Sequence, residues 1–253
     1  MKKKVFAISF FIGVFALILS VGSLAFFTDK TEEVKNTFTV GKVDIDLTEE
    51  TGDLDWTGDG VKLVPSENVY TKEAKVTVVE GSEDAYVVAR IDLNNASQFV
   101  RAVANKTVGP ENGAALAENV INNLGTGGSV KASEATGSAK AIINMFNQLL
   151  GDYVAGFNKN NDWTLYGVTA NVADDIASFY IVANGVHEAG DELPVFDGIK
   201  LPAEADQDMF VGTDFSGSKI SLTAYAIQAE GLADQDTAVD ALFEEFEIND
   251  FKN

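Results

Sequence analysis

The chain has a single histidine, His187, which opens the stretch HEAGD. A zinc protease needs two imidazoles one helical turn apart, so that both reach one metal, with a glutamate as base. The second histidine position holds Asp191, and Gly190 reads as part of a turn rather than a helix. His187 is therefore expected to be an exposed turn residue. A second candidate is DLDWTGDG, with Asp53, Asp55, Thr57 and Gly58 at the first, third, fifth and sixth positions of a calcium loop. Its twelfth position, where a bidentate glutamate closes the shell, is Val64. A solvated hairpin loop is the expectation there, with calcium near Asp53 and Asp55 left open. No Gly-x-Ser-x-Gly elbow accompanies the histidine, and GTGGS lacks the Lys-Ser/Thr of a phosphate loop. Cysteine is absent, which removes thiol nucleophiles, Cys-zinc sites and iron–sulfur ligation. The expected catalytic, cofactor and metal residues are none, and the chain is not expected to be an enzyme.

Charge narrows the partners. Lys2, Lys3 and Lys4 precede the apolar run Val5 to Val21, and Ser23-Leu24-Ala25 offers the small residues that a signal peptidase reads. The run is near the lower limit for spanning a bilayer, and the small-x-small site favours cleavage between Ala25 and Phe26 over a retained anchor. Signal peptidase is then one partner, and residues 26–253 form the mature chain. Formal charge is −21, and becomes −24 once the three lysines leave. Such a surface repels nucleic acid and anionic lipid, so neither nucleic acid nor, after cleavage, membrane is an expected partner. Self-association must also overcome this repulsion. A hydrophobic content of 46% is ordinary for a folded domain, so the acidity is not that of a disordered tail.

The elements follow from periodicity. Phe38 and Val40, then Val43, Ile45 and Leu47, occupy alternate positions with one phase break beside Gly41, which predicts a strand with a bulge. AKVTVVEG and DAYVVARIDL predict two more strands joined by a hairpin turn at Gly81–Asp84, with Ala85, Val87, Ala89, Ile91 and Leu93 facing the core. Helical spacing then appears at Ala117, Val120, Ile121 and Leu124, ending at Gly125. It appears again at Ile142, Phe146, Leu149, Leu150 and Tyr153 after a Ser138 cap. GTGGSVKASEATG between them has the composition of a flexible linker. The helices are expected to form an insertion over about 94–162 that decorates the fold. WTLYGV, SFYIVA, PVFDGIKL and KISLTAYAIQAE resume the strands, the last apolar on both faces and hence central. Asp236 is placed as the cap of a short C-terminal helix with Val239, Leu242, Phe243 and Phe246 on one face. The expected fold is mainly β, a jelly-roll-like antiparallel β-sandwich with a helical insertion and a short C-terminal helix.

AFFTDKTEEVKNTFTVGKVDIDL, at the start of the mature chain, resembles the TasA/camelysin family of Gram-positive bacteria. The family's aromatic start and Phe-x-x-Gly-x-x-Asp-Leu motif fall on Phe27, Asp29, Phe38, Gly41, Asp44 and Ile45, with isoleucine in place of leucine. LTAYAIQAEGLADQDTAVDAL, GSEDAYVVARI and FYIVANGVHEAGDELPVFDGIKLP are similar to further family segments; the helical insertion is not covered. The resemblance implies a secreted biofilm-matrix or cell-surface fibre protein with a jelly-roll sandwich and a dedicated signal peptidase. It implies that an N-terminal segment, about residues 26–36, adds a strand to a neighbouring copy, and that an accessory matrix or anchoring protein can be a further partner. Phe26, Phe27, Val34, Phe38 and Val40 are the expected assembly residues. Phe26, Val34, Phe38 and Val40 share one parity, which Lys30 and Glu32 interrupt, so an arm folded onto its own subunit or a disordered arm stays open. The alternatives in other classes are a camelysin-like secreted metalloprotease and a monomeric surface protein that binds a ligand.

Overall fold

The alternating apolar runs form strands that sort into two antiparallel sheets. The computed structural model describes residues 28–30, 43–50, 68–127, 129–171, 173–201, 208–214 and 218–248. One sheet runs in the order β1 (Thr28–Lys30), β10 (Lys219–Gln228), β4 (Ala85–Asn94), β8 (Ile176–Ala183), β7 (Trp163–Asn171), β5 (Ser129–Lys131). The other runs β2 (Ile45–Glu50), β3 (Val69–Val78), β9 (Glu192–Lys200), β6 (Val154–Ala155). Neighbours distant in sequence, β10 beside β4 and β9 beside β3, mean that the chain passes repeatedly between sheets, as a jelly-roll-like sandwich requires.

Period-two burial positions the sheets. Ala85, Val87, Ala89, Ile91 and Leu93 of β4 all face the main core, with Leu222, Ala224 and Ala226 of β10 and Val76, Val78 and Val195 of the other sheet. Val43 and Ile45 are buried there too, and Leu47 packs against them half-buried. The opposite parity of β4 and β10, Tyr86, Val88, Tyr225 and Ile227, is buried under α4 (Gln235–Glu245) by Ala238, Val239, Leu242 and Phe243. Being covered on both sides explains why β10 is apolar on both faces. The cap of α4 is Asp234, whose carboxylate accepts the Thr237 N–H at 2.8 Å, not Asp236 as expected. Asp236 lies in the first turn, where a carboxylate suits the positive end of the helix.

The expected hairpin at Gly81–Asp84 is corrected. β3 and β4 belong to different sheets, so residues 79–84 are an arch between layers. Asp44 holds it: its carbonyl accepts the Val79 N–H at 2.9 Å, and its N–H donates to Ser82 Oγ at 3.1 Å. Alternation identifies which face of each strand is buried but not which strand lies beside it.

The segment between β4 and β7 departs further from expectation. It holds α1 (Ala96–Val108), α2 (Pro110–Gly127), β5, α3 (Gly137–Tyr153) and β6. No helix was expected over α1, and α2 continues past Gly125. Thr136 rather than Ser138 occupies the N-cap of α3. The linker is no tether, because Ser129–Lys131 pair with Gly167–Thr169 as β5. Nor does the insertion merely decorate the sandwich: Phe99, Val100, Val103, Val120, Phe146 and Leu150 join the same core as the sheets. Phe146 meets Phe179 of β8 edge-on, ring centroids 5.0 Å apart. A helical stripe reveals that one face is buried, but not what it is buried against.

Candidate functional site

The part of the expected donor segment that the structure describes is β1, and it lies along the edge of β10. Thr28 pairs with Ile227, Asp29 with Ala226 and Lys30 with Tyr225, antiparallel. The partner strand is rigid for a local reason. Ala226 points into the main core, whereas Tyr225 and Ile227 are held beneath α4, so neither face can give. Tyr225 also packs its ring 5.2 Å from that of Phe246. On its other side β10 is paired with β4 along its whole length, Lys219 to Gln228. What remains for recognition is the outer row of backbone N–H and C=O groups, and β1 uses part of it. Three residues pair there, against ten between β10 and β4. At a net 0.5–1.5 kcal/mol or so per backbone hydrogen bond, β1 is held weakly compared with its neighbours.

This pairing had a signal in the sequence. A central β10 requires a partner on each side; β4 supplies one and β1 the other. The sequence did not indicate that Tyr225, Ala226 and Ile227 form the receiving stretch, because both parities of the strand are apolar. Of the other expected residues, Ala25, Phe26, Phe27, Val34, Phe38 and Val40 lie outside the described residues, as do the leader and the DLDWTGDG loop.

A polar constellation lies near this edge on the outer face of the same sheet. Arg90 of β4 donates to Asp92 Oδ2 from Nε at 3.1 Å and from Nη2 at 2.9 Å, and Ser178 Oγ donates to Asp92 Oδ1 at 2.6 Å. Burial opposes the charge of Arg90, but Asp92, then Tyr225 and Tyr180, outweigh it and hold the guanidinium firmly protonated. Both Asp92 oxygens are engaged, so the arrangement braces β4 against β8 rather than offering a free acid or base.

His187 is not the exposed residue expected. Its side chain is only 12% exposed, with Nδ1 3.5 Å from Asp191 Oδ2, and its backbone bridges to Ala85. Gly190, at φ +92°, confirms the turn that separates His187 from Asp191. Among the described residues no group of three or more His, Asp or Glu side chains is arranged to hold a metal ion. No helix among them is long and apolar enough to cross a membrane. No family model matches the chain, and no curated protein matches it.

Proposed function

We propose that the chain is a secreted structural protein whose copies link into extracellular fibres, the N-terminal segment of one copy adding a strand to the β10 edge of the next. The observation that carries this reading is the antiparallel pairing of Thr28–Lys30 with Tyr225–Ile227. A strand edge recognises backbone, so the register that β1 adopts within one chain is equally open to the same segment of another. The exchange is close to neutral in backbone hydrogen bonds, because the bond made between chains replaces the one released within a chain. The resemblance of the N-terminal motif to the TasA/camelysin family supports the same reading. So does the leader pattern before Phe26, which would free an aromatic terminus for burial in a neighbour. In this reading the protein acts through assembly, with itself as principal partner, at the surface or in the matrix of a Gram-positive bacterium.

The test is fibre elongation by mature protein with and without residues 26–36, at matched concentration, salt and pH. The shortened protein should keep its β-sheet circular dichroism, because the described core begins at Val43, and should form no fibres. Equal fibre yield would assign β1 to an arm that serves only its own subunit.

A further inference from the structure

We propose that Asn184 is a site of spontaneous deamidation, and that Gln235 of α4 holds the reaction in check. The chain has two Asn-Gly pairs, Asn112-Gly113 and Asn184-Gly185. Glycine carries no side chain to hinder its own nitrogen, so an asparagine before it is open to attack on its side-chain amide. In that reaction the glycine nitrogen gives its proton to water and adds to the asparagine Cγ. The amide nitrogen takes a proton from water and leaves as ammonia. Water then opens the cyclic imide to aspartate or isoaspartate, so the net change is one water consumed and one ammonia released.

Asn184 and Gly185 form the exposed turn by which the chain leaves β8. A Cβ added to Gly185 would meet no atom within 4 Å, so the approach is not crowded. The electrophile is primed: Thr164 Oγ1 donates to Asn184 Oδ1 at 2.7 Å, where negative charge gathers as the nitrogen adds. The amide is also fixed in orientation, because Nδ2 donates at 2.8 Å to the carbonyl of Asn161, which can only accept. What is held back is the nucleophile. The Gly185 N–H donates to Gln235 Oε1 at 2.9 Å, so the nitrogen cannot lose its proton without losing that bond. Gln235 is the first residue of α4, and Ala238, Val239, Leu242 and Phe243 pack that helix on the sheet. Lifting α4 therefore withdraws the guard, and deamidation then records the event covalently. Isoaspartate would lengthen the backbone between β8 and the His187 bridge to Ala85. At the other pair, the Gly113 N–H donates to the Gly109 carbonyl at 2.9 Å as α2 begins, a protection independent of α4.

The test is peptide mass spectrometry on full chain aged in heavy-oxygen water, which labels the acid formed during ageing and not during digestion. Gln235→Ala should speed deamidation at Asn184 about fivefold, the scale of one lost hydrogen bond. Gln235→Glu keeps an acceptor at the same place and should stay near the wild-type rate. Adding Thr164→Val to Gln235→Ala should slow the reaction again, an effect that loosening of the turn would not produce. The peptide holding Asn112 reports on general unfolding and should age alike in every variant. An unchanged rate at Asn184 in Gln235→Ala, equal acceleration in Gln235→Glu, or a parallel rise at Asn112 would overturn the proposal. So would a Thr164→Val addition that leaves the Gln235→Ala rate unchanged or raises it. The inference does not rest on strand donation, and the measurement is made on unassembled protein.

Discussion

Asp175 sits on the turn between β7 and β8, yet its carboxylate accepts both the N–H and the hydroxyl of Ser97, at 2.8 and 2.6 Å. It thereby satisfies the start of α1, whose own N-cap, Asn95, makes no side-chain cap bond. Asp175 also has φ +52°, a conformation that Asp and Asn tolerate better than Ala. Asp175→Ala should therefore cost about 1–2 kcal/mol or more in urea denaturation, and Asp175→Asn distinctly less. Asp234 offers a test by pH. The Thr237 N–H, then the Thr237 side chain, hold its carboxyl below the usual carboxylate range. A lowered folded value means that its contribution is complete above the unfolded value and is lost as pH falls through the folded one. The difference in melting temperature between wild type and Asp234→Ala should be largest near neutrality and disappear in strong acid. His187→Ala should leave any peptidase activity of a preparation unchanged. Chelator-sensitive activity that vanished in this variant would count against the structural reading.

At the scale of elements, the helices of segment 95–162 and the two sheets share one core, which predicts joint unfolding. Phe146 is fully buried against Phe179, so Phe146→Ala should cost about 3–5 kcal/mol. Its denaturant transition should stay single by both fluorescence and circular dichroism. Two separated transitions would show that the helices form an independent unit. β5 carries a related consequence. Deleting Ser129–Lys131 removes the strand that covers the edge of β7, so it should destabilise the sheet and promote edge-to-edge aggregation. By composition alone the same stretch reads as a flexible linker. β1 is the other edge of that sheet, and its pairing is as short as that of β5. Hydrogen exchange at Thr28–Lys30 should be much faster than in β4 or β8, which are paired on both sides.

For the whole molecule, net charge sets the conditions of assembly. At −21 per chain, and more negative after leader removal, copies repel at low ionic strength. Elongation followed by light scattering should accelerate as salt shortens the screening length, and also as acid neutralises carboxylates. A rate independent of salt between about 10 mM and 150 mM, where the Debye length falls from ~30 to ~8 Å, would mean that the joining surfaces do not feel the global charge.

Sequence by itself determined the local events. Alternation at Ala85 to Leu93 placed the core face of β4, and apolar residues on both sides of β10 marked a central strand. Val239, Leu242 and Phe243 defined the buried side of α4. Each rests on a periodicity that the backbone imposes within a few residues. Partnership was decided only in the tertiary structure. The arch at 79–84 looked like a hairpin because turn composition is the same whether the next strand joins its own sheet or the one opposite. α1 carries no local start signal, because its first turn is satisfied by Asp175 from a turn far along the chain, and its buried residues include the polar Asn105. That amide donates to the carbonyls of Met209 and Val211 at 3.0 and 3.1 Å. The candidate site divides in the same way. The N-terminal motif singled out the segment around Thr28–Lys30, but its receiving strand, Tyr225–Ile227, emerged only with the fold. Backbone pairing at an edge leaves no mark on side-chain identity, so a sequence can mark the strand that is given without marking the edge that receives it.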